Sequence, residues 1–482
     1  MQAGFYESDI TPFYDTKSST FTRNLNRQGN NTPLSFTAGV FEGSGHCVAL
    51  VGVDMIFFDR GLVDYAEAEL KKLMPLDALI VGASHTHANA DTIDWLNMSD
   101  DEIMAMEDIQ PEIRALVIQR IGRADPEYRA LLRKRLVDAV WNAWLRREPV
   151  RLVTGSAKVD NVGFNRRQKM KNGLTVSHAG KGNPDIVGYA GPVDTELTAL
   201  GAINDAGVMI GAVVNFACHG TVSEENKFSA DWPYYMRETV KRNINPRMGV
   251  VFLNGCCGDV TQIDNLDPAP EPRTERRAMV LGERVGFGAV EALRAPEPEN
   301  FELIRFKKEI LPLNYRAISE ERYQRALADL NSETYKLGKE AWLIGYYARD
   351  TVLLVNRMRQ KPQIGCELNA VQIGNLILFT SPSEMFAQMA LDVKAASKHF
   401  PSVMVAELTN GYVGYIPTPD AFGPGGGGYE PKFAGGSFLE IGAFEKIRAK
   451  FIDMLSEFTP ERPPLKPDKI GKPWIAYRPE EL

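Results

Sequence analysis

Histidine is scarce in this sequence, with six in 482 residues. Cysteine is also sparse: Cys47, Cys218, Cys256, Cys257 and Cys366, an odd count of five with no C-x-x-C spacing. That excludes a zinc knuckle or a disulfide framework and implies free, mostly buried thiols in a reducing compartment. There is no basic excess, because 55 Lys and Arg face 62 Asp and Glu for a net charge of −7. A nucleic-acid binder would show a basic balance or stripe. No apolar run approaches the ~18 residues that a membrane span needs. The opening MQAGFYESDITPFYD has neither the basic nor the apolar region of a secretion signal. The expected compartment is cytoplasmic, although a chain whose signal had been removed would read the same.

The composition is that of a globular protein, 44% hydrophobic and 24% charged, which excludes long disorder. Residues 48–55 and 78–83 read as buried strands, and 61–74 between them has helical spacing. Strand, helix, strand is a βαβ unit and implies parallel pairing. A long amphipathic helix over 126–147 opens with Pro126. Further apolar strands are expected at 207–217, 249–253 and 403–408, and a strand pair at 371–380. Residues 318–360 read as a helical hairpin, 383–399 as a helix, and 423–428 (GPGGGG) as either a plain surface loop or a lid. Length alone suggests about three domains. No repeat or linker divides the chain, so one large α/β domain over 1–455 is expected. Its sheets should be mixed and largely parallel, flanked by helices, and a Pro-rich tail should follow over 456–482.

Polar clusters follow four of these strands, where open α/β sheets place their ligands. Ser84-His85-Thr86-His87 follows the strand at 78–83. In extended chain, residues i and i+2 share a face, so His85 and His87 can point together toward a metal or a substrate. Asn215 to His219 follows a second strand, which puts three of the six histidines at two strand ends. Taken singly, each is as readily a structural or surface histidine. Cys218 and His219 are adjacent, so they point apart and do not form a thiol–base pair. Asn254 to Thr261 follows a third strand and is rich in small residues that allow close backbone approach. The last cluster is Glu384, Thr409 to Pro419, and Gly428-Tyr429-Glu430. By spacing alone, Glu384 is a helix-dipole partner and Tyr412 and Tyr415 are core aromatics.

In order along the chain, these segments resemble the catalytic domain of the neutral/alkaline ceramidase family. Ala3-Gly4-Phe5 with Asp9 to Pro12, and Val51 to Asp54, match its opening blocks. Ser84 to His87 is similar to its THTHSG signature, and Phe164-Asn165-Arg166 to its NRS segment. Asn215 to His219, Ser229 to Pro233, Gly258 to Thr261, Pro382-Ser383-Glu384 and Asn410 to Tyr415 match later blocks. The resemblance implies one zinc ion held by His85, His219, Glu384 and Tyr415. It implies that His87 is an acid/base or hydrogen-bonding group, and that Arg166 and Tyr429 contact the substrate and the developing oxyanion. A metal-bound water of pKa about 7 would then attack an amide carbonyl. Asp231 is a candidate to orient a ligand histidine.

The sequence departs from the family pattern in three places. Thr261-Gln262 stands where the family has Ser-Pro, which removes a serine nucleophile but not a zinc hydroxide. His85 to His87 is followed by Ala88-Asn89-Ala90-Asp91 in place of small residues. Too few residues follow position 450 for the family's C-terminal immunoglobulin-like domain. The leading expectation is a zinc-dependent hydrolase of a ceramide-like or other N-acyl amide, with a small-molecule substrate and no nucleic-acid partner. One alternative is an enzyme that uses the same metal site on a polar, carbohydrate-type substrate, favoured by Asn89 and Asp91. Another is a catalytically dead binding protein, disfavoured because all four proposed ligands are retained.

Overall fold

The computed structural model describes residues 1–13, 16, 19–20, 23–24, 29–338 and 342–462. Most of the expected tail therefore lies outside the described residues. The main sheet has eight strands: β1 (Gln2–Asp9), β2 (Ser35–Gly43), β3 (His46–Val53), β4 (Ala78–Ala83), β5 (Glu148–Lys158), β6 (Glu196–Asn204), β7 (Met209–Phe216) and β8 (Gly249–Asn254). Their order is β8-β7-β6-β5-β1-β2-β3-β4.

The architecture is mixed α/β, as expected, but the parallel share is smaller than expected. Only the ends of the sheet are parallel, β3 with β4 and β7 with β8; the five inner pairings are antiparallel. Each parallel pair is a strand–helix–strand crossover, through α1 (Arg60–Leu70) and α3 (Asp231–Asn243) respectively. The inner strands look like parallel ones in sequence because both faces of the sheet are covered. Burial on both faces replaces alternation with a continuous apolar run. In β2 the first seven residues are all buried.

The sheet curls back on itself, and glycines permit the approach. A Cβ on Gly52 of β3 would lie 2.5 Å from the Phe252 carbonyl oxygen of β8, and one on Gly211 of β7 would lie 2.2 Å from the Phe5 ring of β1. A second sheet closes the inner face: β9 (Ile304–Asn314), β10 (Gln363–Ile373), β11 (Leu376–Thr380) and β12 (Ser402–Ala406), in that order. Leu50, Ile80, Val213 and Leu253 pack there against Val371, Leu378 and Met404. The outer face of β5–β8 is covered by α3 and α4 (Glu275–Arg294), through Trp232, Met236, Leu281 and Val285. Helix α2 (Pro126–Leu145) lies over β1 and β2, with its amino end capped by Asp125. The hairpin of α5 (Glu320–Leu330) and α6 (Trp342–Gln360) is as read from the sequence. Among the described residues, no helix is long and apolar enough to cross a membrane.

Asn410 closes the free edge of β4. Its side-chain oxygen accepts from the Val81 N–H at 2.8 Å, its Nδ2 donates to the Leu79 carbonyl at 2.8 Å, and its own N–H donates to the Val81 carbonyl at 2.9 Å. A single side chain thus acts as a short partner strand. Asn410→Ala leaves two buried backbone groups unpaired and should cost about 2–4 kcal/mol. Denaturant unfolding of the variant against the parent measures this loss.

Candidate active site

Three strand ends deliver the central groups. His85 lies two residues beyond β4, His219 three beyond β7, and Glu384 four beyond β11. His85 itself has φ +64°, so the backbone turns there and does not run extended as the same-face argument assumed. The two rings still meet edge to face, with the His85 and His87 centroids 4.9 Å apart. Glu384 sits in a two-residue strand, Glu384–Met385, paired parallel with Tyr415–Ile416. The following helix α7 starts only at Ala387, which removes the helix-dipole reading. The ladder puts Glu384 directly opposite Tyr415.

The geometry is tight. His85 Nε2 lies 3.2 Å from His219 Nε2 and 3.3 Å from Glu384 Oε2, and His219 Nε2 lies 3.7 Å from the same oxygen. The tautomers follow from the partners. His85 Nδ1 is 2.7 Å from the Ile56 carbonyl, which can only accept, so in the neutral ring Nδ1 carries the proton and Nε2 a lone pair. His219 Nε2 is 2.8 Å from Arg166 Nη1, which can only donate, so it also presents a lone pair. Glu384 Oε2 is buried without a hydrogen-bond donor. Three acceptor atoms thus face one another in a buried space, an arrangement that calls for a cation.

Neighbouring charges keep these groups in that state. Burial, then the Arg166 charge, pushes His219 well below its ordinary range, so it stays neutral. Burial alone would raise Glu384; a protonated His85, and after it Arg166, lower the carboxyl, and in the neutral His85 tautomer the Arg166 charge is what remains. The other Glu384 oxygen accepts from Tyr412 at 2.9 Å. Burial pushes Tyr415 well up, so its phenol is neutral here, and its oxygen accepts from Arg166 Nη2 at 3.1 Å.

Arg166 is the hub of the site. Buried at 2% exposure, it gives Nε to Glu430 Oε1 at 2.7 Å and Nη2 to the Gly258 carbonyl at 2.6 Å. Asp259 anchors the whole segment: its carboxylate accepts from Asn165 Nδ2 at 2.7 Å and from the Ala387 N–H at 2.8 Å. The turn at Gly258-Asp259 therefore ties the Arg166 segment to the Glu384 segment.

A cavity of about 620 Å³ opens onto part of this group, with His219 and Arg166 outside its lining. His85, His87, Glu384, Tyr412, Tyr415 and Tyr429 line it, and Ile56, Phe57, Val176, Tyr346 and Tyr347 form apolar walls. Tyr429 lies 6.1 Å from the Tyr415 ring, with the Arg166 guanidinium 4.9 Å over its face. Thr261 turns its hydroxyl to Gln262 and does not line the cavity. Neither do Asn89 and Asp91; Asn89 is buried and donates to the Ala90 carbonyl. Asp231 does not reach a histidine ring. It accepts from the Val222 and Ser223 N–H groups, while Trp232 Nε1 holds the His219 carbonyl at 2.9 Å. The Gly-rich loop is pinned to the 167–177 hairpin: Thr175 donates its N–H to the Gly426 carbonyl and Arg167 donates to the Gly427 carbonyl.

Sequence reasoning named Glu430 in the last cluster but gave it no role, and it missed the wall residues Tyr346 and Tyr347 and His178. His178 donates its N–H to the Arg166 carbonyl and is pushed down to about 3 by burial and Arg166. A fourth histidine thus stands beside the site. Its only sequence signal was the scarcity of the residue.

No family model and no curated protein matches the chain. Solved structures do. A ceramidase complexed with C2 superposes with a TM-score of 0.69 at 18% identity, covering 97% of this chain and 77% of the other. The neutral ceramidase from Pseudomonas aeruginosa gives 0.68 at 18% identity, covering 97% and 76%. The fold is that of the neutral ceramidases.

Glu430 is the carboxylate that compensates a buried guanidinium. Breaking such a pair from one side costs about 3–5 kcal/mol, because the other charge stays buried alone. Glu430→Gln should lose that much stability by denaturant unfolding. The Arg166→Met/Glu430→Gln double variant should lose less than Glu430→Gln alone.

Proposed function

We propose that the protein is a zinc-dependent hydrolase that cleaves the amide bond of an N-acyl small molecule. The observation that carries this reading is the convergence of His85 Nε2, His219 Nε2 and Glu384 Oε2, three acceptor atoms 3.2–3.7 Å apart. Zinc bonds of about 2.0–2.1 Å in tetrahedral array put ligand atoms roughly 3.3 Å from one another. The donor set fits that ion: two neutral imidazoles, a carboxylate, and the Tyr415 phenol beside them. His87 joins His85 and His219 in a group whose ligand atoms all lie within 4.8 Å. It is assigned to substrate because Glu384 and Tyr415 complete the set.

Zinc bound there would supply a hydroxide at neutral pH and polarise the substrate carbonyl. The chain's own residues do the rest. Ile56 fixes the His85 tautomer through Nδ1, and Tyr412 orients Glu384. His87, on the cavity wall, takes the proton from the attacking water and passes it to the leaving amine. Tyr429 on the cavity wall, with Arg166 4.9 Å from its ring, would meet the negative charge that develops on the carbonyl oxygen. Arg166 Nη1 donates to the His219 Nε2 lone pair that zinc would take, so metal binding would release Nη1 from His219. The apolar and aromatic walls suit an acyl chain and hold water away from it. Those walls favour an acyl amide over a carbohydrate-type substrate, as does the absence of Asn89 and Asp91 from the lining. That a similar structure is a ceramidase complexed with C2 supports the same class.

Metal analysis after chelator-free purification tests the assignment. One zinc per chain is expected in the parent and in His87→Asn, and well below one in His85→Ala and His219→Ala. The parent should hydrolyse a fluorescent ceramide or another N-acyl amide, and His87→Asn should reduce kcat by about a hundred- to ten-thousand-fold. A protein that binds metal yet is inactive on every acyl amide would contradict the amide reading.

A further inference from the structure

One wall of the site cavity is shared. A second cavity of about 700 Å³ runs along α5 and has Tyr347 and Lys432 in common with the first. At that boundary Lys432 Nζ stands 3.5 Å from the centroid of the Tyr347 ring. Two arginines gather at the next residue, with the guanidinium carbons of Arg322 and Arg316 5.5 Å and 5.6 Å from the Phe433 ring. Arg316 Nη2 donates to the Ser437 carbonyl at 2.8 Å, and Ser437 lines the site cavity. Three cations therefore surround the segment 432–437, which forms the cavity's edge.

These cations lack counter-ions. Among the described residues none of the three has a carboxylate in ion-pair contact, and burial and Arg322 lower both Arg316 and Lys432. Arg316 Nη1 is buried with no hydrogen-bond partner. Neighbouring basic residues are answered: Arg325 pairs with Glu321 at 3.0 Å and Arg359 with Asp108 at 2.9 Å. Asp329, which lines the second cavity, pairs with none of the three cations.

Cations held together without compensation repel one another, and an anion from outside relieves that cost. Guanidinium forks match carboxylate and phosphate oxygens. We infer that the molecule held in the cavity carries an anionic group, which Lys432 on the shared wall and Arg322 in the second cavity receive, with Arg316 behind them and lining neither cavity, while its acyl amide lies against His85 and Glu384. This rests on the amide-hydrolase reading and narrows it. An acidic N-acyl conjugate, such as an N-acyl amino acid or a phosphorylated acyl amide, fits better than a neutral ceramide.

Calorimetric binding to the purified full chain tests this without requiring turnover. The probes are N-octanoyl-glutamate against its dimethyl ester, and N-octanoyl-ethanolamine phosphate against N-octanoyl-ethanolamine. At least one anionic probe should bind about tenfold or more tightly than its neutral partner, the scale of one hydrogen bond to a charged group. The pair showing the larger ratio identifies carboxylate or phosphate. Lys432→Met/Arg322→Leu, which alters two exposed side chains, should abolish the ratio by weakening the anionic probe. Equal affinities within both pairs, no binding of any probe, or a charge preference that survives the double variant would overturn the inference. Metal content is read separately, so a metal-free protein that kept the preference would refute the zinc reading alone.

Discussion

Two imidazole nitrogens and a carboxylate oxygen, each presenting a lone pair, are held 3.2–3.7 Å from one another in a buried pocket. No pair among them can bond, and an unsatisfied buried acceptor costs about 1–3 kcal/mol. Positive charge at its centre would relieve that cost. Arg166 Nη1 provides part of that charge from one side, at 2.8 Å from His219 Nε2. The rest of the site follows from this need. Glu430 and the Gly258 carbonyl hold the guanidinium in place, and the Ile56 carbonyl and Tyr412 hold the remaining faces of His85 and Glu384.

The fold is arranged so that these groups cannot avoid one another. The curled sheet brings the ends of β4 and β8 together: Asn254 Nδ2 reaches the Ser84 carbonyl on one side and the Cys218 carbonyl on the other, both at 3.2 Å. One buried amide therefore spans the segments that carry His85 and His219. Asp259 performs the same bridging between Asn165 and Ala387, beside Arg166 and Glu384. The asparagines and aspartates of the strand-end clusters are thus braces. The histidines, glutamate and tyrosines are what they brace.

Much of this was legible in the residues. The strand-end clusters drew attention to His85 and His219, while Glu384 and Tyr415 read by spacing alone as a helix-dipole partner and a core aromatic and were singled out only by the ordered resemblance. The ordered resemblance added Arg166 and Tyr429, which spacing alone would not have singled out. The pairing direction of the inner strands was not legible, since burial on both faces removes the alternation that marks an antiparallel strand. Asp231 was misread for a different reason: the Val222 and Ser223 N–H groups that hold it come from a loop whose path only the tertiary structure fixes. The wall residues Tyr346 and Tyr347 and the cations around Phe433 left no local signal. The α5–α6 hairpin, far from every motif, carries Tyr346, Tyr347 and Arg322, while Arg316 precedes α5 and Lys432 follows Glu430 by two residues.

The central claim is that a metal ion sits among His85, His219 and Glu384. X-ray absorption at the zinc edge, on protein purified without chelator, tests it most directly. The account predicts a stoichiometric ion with a shell of nitrogen and oxygen neighbours only, at about 2.0–2.2 Å, and the outer scattering of coordinated imidazole. A shell containing sulfur at about 2.3 Å would place the ion elsewhere, and the absence of stoichiometric metal would contradict the account outright.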